Sequence, residues 1–305
     1  MRTLALTLCP VCGEGRSSPE LLGEQVLSRC ASCGTVYARE YAHPDEVYLD
    51  GYFEGSTGFG VDISHPAFRH YIDACNRERM RRLRRVVGSP GTMLDVGCGV
   101  GLLLDAAVAD GWSVTGVEPV ADSAHQAAAR GHDVRATTLE EADLPRDHYD
   151  VLVLSHVVEH MPTATDFLAG VSQWVRPGGH VLVEVPNYAS LARRRQQESW
   201  VHYRPLEHLV YFTPRTLRRA LEGAGLRVRK LSTPSHLIAD QPARQMLTDL
   251  GLPRRGRWSR AARPQQIAGV EVRSATPTTW RALHAADRAF ECAGIGSVVL
   301  ALAQR

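Results

Sequence analysis

The chain has 305 residues and a mass of 33.5 kDa, with a formal net charge of +2. Hydrophobic residues make up 44% and charged ones 22%, which excludes collagen-like, disordered and membrane-spanning classes, and the balanced charge argues against a general nucleic-acid binder. No apolar run reaches bilayer length and Met1–Leu6 lacks the core of a signal peptide, so a cytoplasmic chain of about two domains, with no membrane attachment, is expected.

The first segment carries Cys9-Pro10-Val11-Cys12-Gly13 and then Cys30-Ala31-Ser32-Cys33-Gly34. Two residues between cysteines let one tight turn aim both thiolates at a single ion, and the glycine after each pair can take the positive φ that such a turn needs. Four thiolates close a tetrahedral shell, so Cys9, Cys12, Cys30 and Cys33 predict a structural zinc site in a zinc-ribbon segment over residues 1–45. A segment this short cannot fold on an apolar core alone, and the metal would supply the missing stability. Cys75, Cys98 and Cys292 have no such partners and are expected as small buried or half-buried residues.

Residues 46–90 predict a helical cover, with Tyr52, Phe53 and Tyr71 placed to shield a ligand from that side. Arg77, Arg79, Arg81, Arg82, Arg84 and Arg85 fall on one helix whose apolar stripe is Met80, Leu83 and Val87. A solvated face is the simplest account of these arginines. Together with Arg193–Arg195 and the run from Arg254 to Arg263, they also admit a pocket for a phosphorylated acceptor, or contact with RNA, which the near-neutral net charge disfavours.

Beyond residue 90 the pattern alternates. Val/Leu-rich runs predict strands over 92–96, 113–118, 133–136, 149–155, 180–186 and 226–231, and helices are expected near 100–110, 121–130, 163–175 and 214–224. Such alternation implies a doubly wound parallel sheet, whose ligand sits beyond the carboxyl ends of the strands. The first of those ends reads Met93-Leu94-Asp95-Val96-Gly97-Cys98-Gly99-Val100-Gly101-Leu102. Glycines at 97, 99 and 101 let the backbone pass close to a bound nucleoside, and Glu118 at the end of the next strand can accept hydrogen bonds from both ribose hydroxyls. A dinucleotide fingerprint would put its third glycine where Leu102 stands, and a phosphate-cradling loop would need Gly-Lys-Ser/Thr. Asp95 would repel a pyrophosphate but suits the cationic amino-acid end of a sulfonium nucleoside.

Leu94–Gly101, Glu118, the run Tyr149–Ser155 and Arg176-Pro177-Gly178-Gly179 resemble the class I S-adenosylmethionine-dependent methyltransferases, over roughly residues 70–232 and a final strand at 296–303. The branch most similar carries a His-x-x-Glu-His segment (here His156-Val157-Val158-Glu159-His160), then Val185-Pro186-Asn187 and His208-Leu209-Val210-Tyr211-Phe212-Thr213-Pro214. Some nucleotide-sugar C-methyltransferases similar to it carry an N-terminal zinc-binding segment. The resemblance implies that S-adenosylmethionine is the cofactor and that Asp95, Gly97, Cys98, Gly99, Gly101, Glu118 and Pro119 contact it. Thr138 and Leu139 would lie by the adenine, with Asp143 a further neighbour, and Ser155 and His156 by the methionine moiety.

His156, Glu159 and His160 follow the fourth core strand, and on a short helix they would share one face. They read as a base with its orienting carboxylate or as residues that hold the loop, and less readily as ligands for a divalent metal, with His160 the first choice for the base. His202-Tyr203-Arg204 and Glu207-His208 form a second constellation, suited to orienting the substrate, with His208 a further candidate for catalysis.

The expected architecture is α/β: a doubly wound, seven-stranded, mostly parallel sheet of the Rossmann-like methyltransferase type over 91–305, with a small N-terminal zinc ribbon and a helical cap insertion at 233–293. Helical pieces are expected near 237–250 and 277–293, and strands 226–231 and 296–303 as an antiparallel closing pair. The expected reaction is methyl transfer to O, N or C of a small molecule, such as a nucleotide sugar or a secondary-metabolite intermediate of the antibiotic type, by a monomer or homodimer. RNA methylation, and a non-catalytic cofactor-binding partner, are the alternatives.

Overall fold

The computed structural model describes residues 1–22, 25–54, 66–234, 265–267, 270–272 and 288–305. In the N-terminal segment lie β1 (Thr3–Ala5), β2 (Ser17–Leu22), β3 (Gln25–Cys30), β4 (Val36–Tyr37) and β5 (Glu40–Ala42), followed by α1 (Pro44–Val47) and α2 (Pro66–Val87). Then come β6 (Thr92–Val96), α3 (Leu102–Ala109), β7 (Ser113–Val117), α4 (Ala121–Ala129), β8 (Asp133–Arg135), β9 (Tyr149–Ser155), α5 (Ala164–Val171) and β10 (Val175–Pro186). The remainder is α6 (Leu191–Gln196), β11 (Val210–Tyr211), α7 (Pro214–Gly223), β12 (Arg227–Ser232), β13 (Gln265–Ile267), β14 (Val270–Val272) and β15 (Val298–Gln304).

Seven strands form one sheet in the order β12-β15-β10-β9-β6-β7-β8. β10, β9, β6, β7 and β8 pair in parallel, and β15 runs antiparallel between β10 and β12, the closing pair expected from the sequence. Its inner strands β6, β9 and β15 are apolar on both faces because both are covered. Leu94, Leu152 and Leu154 face α5 and α7 through Leu168, Leu217 and Leu221, whereas Met93, Val151 and Val153 face α2 and α3 through Met80, Leu83 and Leu103. The period of two along each strand decides which layer a residue joins.

β10 begins five residues before the expected His180, with a register shift between Val175 and His180 that accommodates Arg176-Pro177-Gly178-Gly179. The expected helix at 163–175 ends at Val171 and tightens into a 3-10 turn over Ser172–Trp174. Of the expected cap, helix 237–250 lies outside the described residues, and the piece near 277–293 is described only from 288, as a short helix to 292. β13 and β14 form an antiparallel pair that the broken periodicity there concealed.

A second sheet has the order β11-β4-β3-β2, so β11, from the middle of the chain, completes the strands of the cysteine-bearing segment. That segment also sits on α5, where the Thr165 hydroxyl donates to the Val11 carbonyl at 2.8 Å. No helix among the described residues is long and apolar enough to cross a membrane.

Candidate active site

A cavity of about 850 Å³ opens at the carboxyl ends of the central strands, walled by the glycine loop, α2, the 41–53 segment and the turn at 201–209. β6 delivers Asp95 and Gly97–Gly99 to it, β7 ends at Glu118 and Pro119, Thr138 and Leu139 follow β8, and β9 delivers Ser155 and His156.

The Glu118 carboxylate accepts from the Gly99 amide at 2.8 Å and the Val120 amide at 2.9 Å, so it organises the loop as well as facing the cavity. Burial pushes its pKa up, against those two hydrogen bonds. Gly97 and Gly99 have φ of 71° and 53°. A Cβ on Gly99 would lie 3.2 Å from the Phe53 ring, which therefore rests on the loop, while Tyr52 lines the wall beside it. Tyr71 lies on α2, its side chain outside those described. Cys98 lines the cavity and packs against Gly116 of β7, where a Cβ would stand 2.7 Å from the sulfur.

Two expected cofactor residues lie elsewhere. Gly101 opens α3 with φ of 83°, and its missing side chain makes room for Ala127 and His132 rather than for a ligand. Asp143 does not line the cavity either.

Asp95 is fully buried, which pushes its pKa up to about 7, Arg79 pulling it down and Glu118 adding to the rise. Arg79, read from sequence as part of a solvated face, is instead buried, its guanidinium gripping Glu184 through both oxygens, with Nε 2.9 Å from Oε2. Arg82 is likewise buried and paired with Glu291 and Glu78. Asn76, also on α2, lines the cavity and accepts from Arg79 through Oδ1, while its buried Nδ2 has no partner among the described residues.

The structure brings the two polar constellations into one cluster. His156 precedes a 3-10 turn (Val158–His160) with φ of 59°, so it is not on a helix with Glu159 and His160 as the spacing suggested. Its Nδ1 lies 3.1 Å from Glu159 and its Nε2 3.6 Å from Glu184. Burial would lower its pKa, but hydrogen bonds to the two carboxylates and their charges outweigh that and hold it at about 9. His156 therefore favours the imidazolium form near neutrality.

Its ring lies parallel to that of His202, at 5.9 Å, and His202 parallel to His208, at 6.2 Å. His160 meets His208 edge to face at 4.8 Å. Burial lowers the pKa of His160, against the charges of Glu159 and Glu207, and takes that of His208 well below its usual value, aided by His160, His202 and Arg204. Both are neutral imidazoles near pH 7. His160 Nδ1 and Glu159 Oε2 are buried without a hydrogen-bond partner among the described residues. Nitrogens of His160 and His208 and a Glu159 oxygen lie within 4.8 Å of one another.

Glu159 does not line the cavity, though it sits behind His156. Tyr203 turns away from it into an aromatic cluster with Tyr188, Trp200 and Tyr211. Arg204 lines the cavity and is paired with Glu207 at 3.1 Å. Tyr48, Asn76 and Glu184 are wall residues the sequence reading passed over. Glu184 carried a visible signal, a lone carboxylate in the apolar run Val181–Pro186.

At the other end of the chain, Cys9 and Cys33 sulfurs lie 3.6 Å apart and those of Cys12 and Cys30 3.5 Å, and all four sulfurs fall within 4.8 Å. A tetrahedral ion with bonds of about 2.3 Å has edges near 3.8 Å, so the donor set suits one such ion. Gly13 and Gly34 take φ of 70° and 76° and donate back to the Cys9 and Cys30 carbonyls. Cys75 and Cys98 are buried, and Cys292 is exposed.

The methyltransferase domain family matches residues 68–231, more than half of the chain. The chain belongs to that family. It is 40% identical, over 101 residues, to a ubiquinone biosynthesis O-methyltransferase of Bradyrhizobium sp. (strain ORS 278), spanning 31% of this chain and 40% of that protein. The enzyme of the same name from Aeromonas salmonicida is 32% identical over 153 residues, spanning 46% of this chain and 64% of that protein. The chain thus spans less than two thirds of the length of either relative. A solved SAM-dependent methyltransferase from Archaeoglobus fulgidus has a TM-score of 0.49 and 18% identity, covering 76% of this chain and 94% of that one.

Proposed function

We propose that the chain transfers the methyl group of S-adenosylmethionine to a hydroxyl of a small, largely apolar acceptor. The cavity suits the cofactor's charge: Asp95 and Glu118 are buried carboxylates pushed up in pKa, the environment that a cationic ligand relieves. Its volume lies in the range of about 300–1,000 Å³ usual for ligand sites. In this reading Glu118 takes the ribose, Thr138 and Leu139 flank the adenine, and Asp95 faces the amino-acid end. The sulfonium supplies an activated methyl group, and the chain's task is to align the acceptor with it and exclude water.

The observation that carries the acceptor reading is the pair of neutral imidazoles, His160 and His208, in a wall shared with Tyr48, Phe167 and Leu206. A neutral imidazole can take the proton of a hydroxyl as it is methylated. Arg79 and Arg204 are matched by Glu184 and Glu207, which favours an unphosphorylated acceptor over the nucleotide sugar expected from sequence. The relatives' name, ubiquinone biosynthesis O-methyltransferase, agrees with a hydroxyl acceptor. Incubation with labelled S-adenosylmethionine and a metabolite extract tests the reading. Label in an apolar ether supports it, whereas label only in phosphorylated products or RNA refutes it.

The convergence of Glu159, His160 and His208 also favours a second reading, a divalent cation that would orient the acceptor's oxygen. The four cysteines, by the fit of their spacing, would hold a structural zinc ion.

A further inference from the structure

We infer that Glu207 is a positioning residue, through which the N-terminal segment fixes the ring proton of His208. The inference rests on the reading above, that a histidine of this pair takes the acceptor proton.

His208 Nδ1 lies 2.9 Å from the main-chain carbonyl oxygen of His202. A carbonyl cannot donate, so Nδ1 carries the proton and, in the neutral ring, Nε2 keeps its lone pair. His208 lines the cavity, and no partner is found for Nε2 among the described residues. The tautomer that can act on an acceptor is thus selected by one carbonyl, and the turn from 202 to 208 decides where that carbonyl points.

The turn is held from within by the amides of Glu207 and His208, which donate to the Arg204 carbonyl at 2.9 Å and 2.6 Å. From outside it is held by the N-terminal segment. The Tyr52 hydroxyl donates to one oxygen of Glu207, whose other oxygen lies 3.1 Å from Arg204 Nε. The Ala42 amide donates to the Leu206 carbonyl at 3.0 Å, and that of Ala38 to Leu209 at 2.9 Å. The Glu207 side chain is 2% exposed. A carboxylate buried to that degree tolerates the loss of a partner badly, and the turn must move to bring it water. Release of Tyr52 therefore frees the His202 carbonyl and lets the His208 proton exchange between its nitrogens.

Two-bond proton–nitrogen spectra distinguish the imidazole tautomers without any acceptor. His208 signals, identified by their loss in His208→Gln, should show the Nδ1-protonated pattern in the intact protein. Tyr52→Phe keeps its ring among Ala42, Val47 and Val120 and removes only the hydroxyl. In Tyr52→Phe and in Glu207→Gln the pattern should be lost or averaged. If Glu207→Gln does not fold, Tyr52→Phe carries the test. An unchanged pattern in the folded variants overturns the inference. Label transfer that survives in both His208→Gln and His160→Gln overturns the base reading instead, and the two failures are distinct because the spectra report the proton alone.

Discussion

The amide of Gly99 donates to Oε2 of Glu118 at 2.8 Å, which ties the glycine loop after β6 to the carboxylate that ends β7. One side chain therefore shapes the loop and faces the cavity. In the proposed role, replacing it by alanine removes its hydrogen bonds to the ribose, and it leaves two buried amides without an acceptor. Glu118→Ala should weaken binding of S-adenosylhomocysteine by about 2–3 kcal/mol. Calorimetry on the folded variant checks this, and unchanged affinity would place the ribose contact on another residue.

With Asp95 facing the cationic end of the cofactor, as proposed, cofactor binding should depend on pH. Burial pushes its pKa up to about 7, so in the free protein it is partly protonated near neutrality. A cationic ligand favours the ionised form, so binding should release a proton and affinity should rise with pH through about 7. In the free chain the folded state holds this proton more tightly than the unfolded state. Its effect on stability therefore has the reverse sign, a loss as pH rises through the same range. Calorimetry in buffers of different ionisation enthalpy reads the proton directly, and proton uptake on binding would contradict the assignment.

For the base, the geometry favours His208 over His160, because Nδ1 of His160 is buried without a partner while His208 has its proton placed. His208→Asn should lower the transfer rate by about 10²–10⁴-fold with cofactor affinity retained. The pKa of His208 is held well below its usual value, so the acid limb of the rate should lie below about pH 6.5, not at it. A limb at the ordinary imidazole value would point to a more exposed group. Recovery of a His160 variant by added Mg²⁺ or Mn²⁺ would point to the cation reading.

The cysteine cluster should matter for folding more than for chemistry. A closed four-thiolate shell leaves no position for a substrate, so Cys9→Ser or Cys30→Ser should lower the unfolding temperature and the zinc content together. Elemental analysis with thermal unfolding checks this. A variant with normal zinc and normal stability would refute the site.

The sheet was legible because its inner strands are buried on both faces, and runs such as Val151–Leu154 need no partner to be recognised. The cysteine pairs and the glycine loop were legible because their chemistry is local, fixed by spacing and by positive φ. The arginines of α2 were not. Arg79 meets Glu184 and Arg82 meets Glu291, 105 and 209 residues further along, and only the folded chain turns a charged face into buried ion pairs. His156 misled for a similar reason. Its spacing to Glu159 suggested a helix face, but Glu184 reaches it from another strand, and the backbone takes a positive φ that no residue type announces. Tyr203 read as a substrate residue from the polar company it keeps in sequence, whereas Trp200 and Tyr211 claim it in space.

The pairing of β4 with β11 bears on how the chain is assembled. Val36 and Tyr37 pair on one side with Arg29 and Ser28 of β3 and on the other with Tyr211 and Val210, so the sheet that begins with the first cysteines is finished by a strand synthesised much later. During translation the N-terminal segment must wait, one edge unpaired, until most of the core has emerged. Closing so long a loop is slow but adds little to the entropic cost, since that cost grows only with the logarithm of its length. A fragment cut near residue 45 would expose that edge permanently, and edges of this kind recruit other chains.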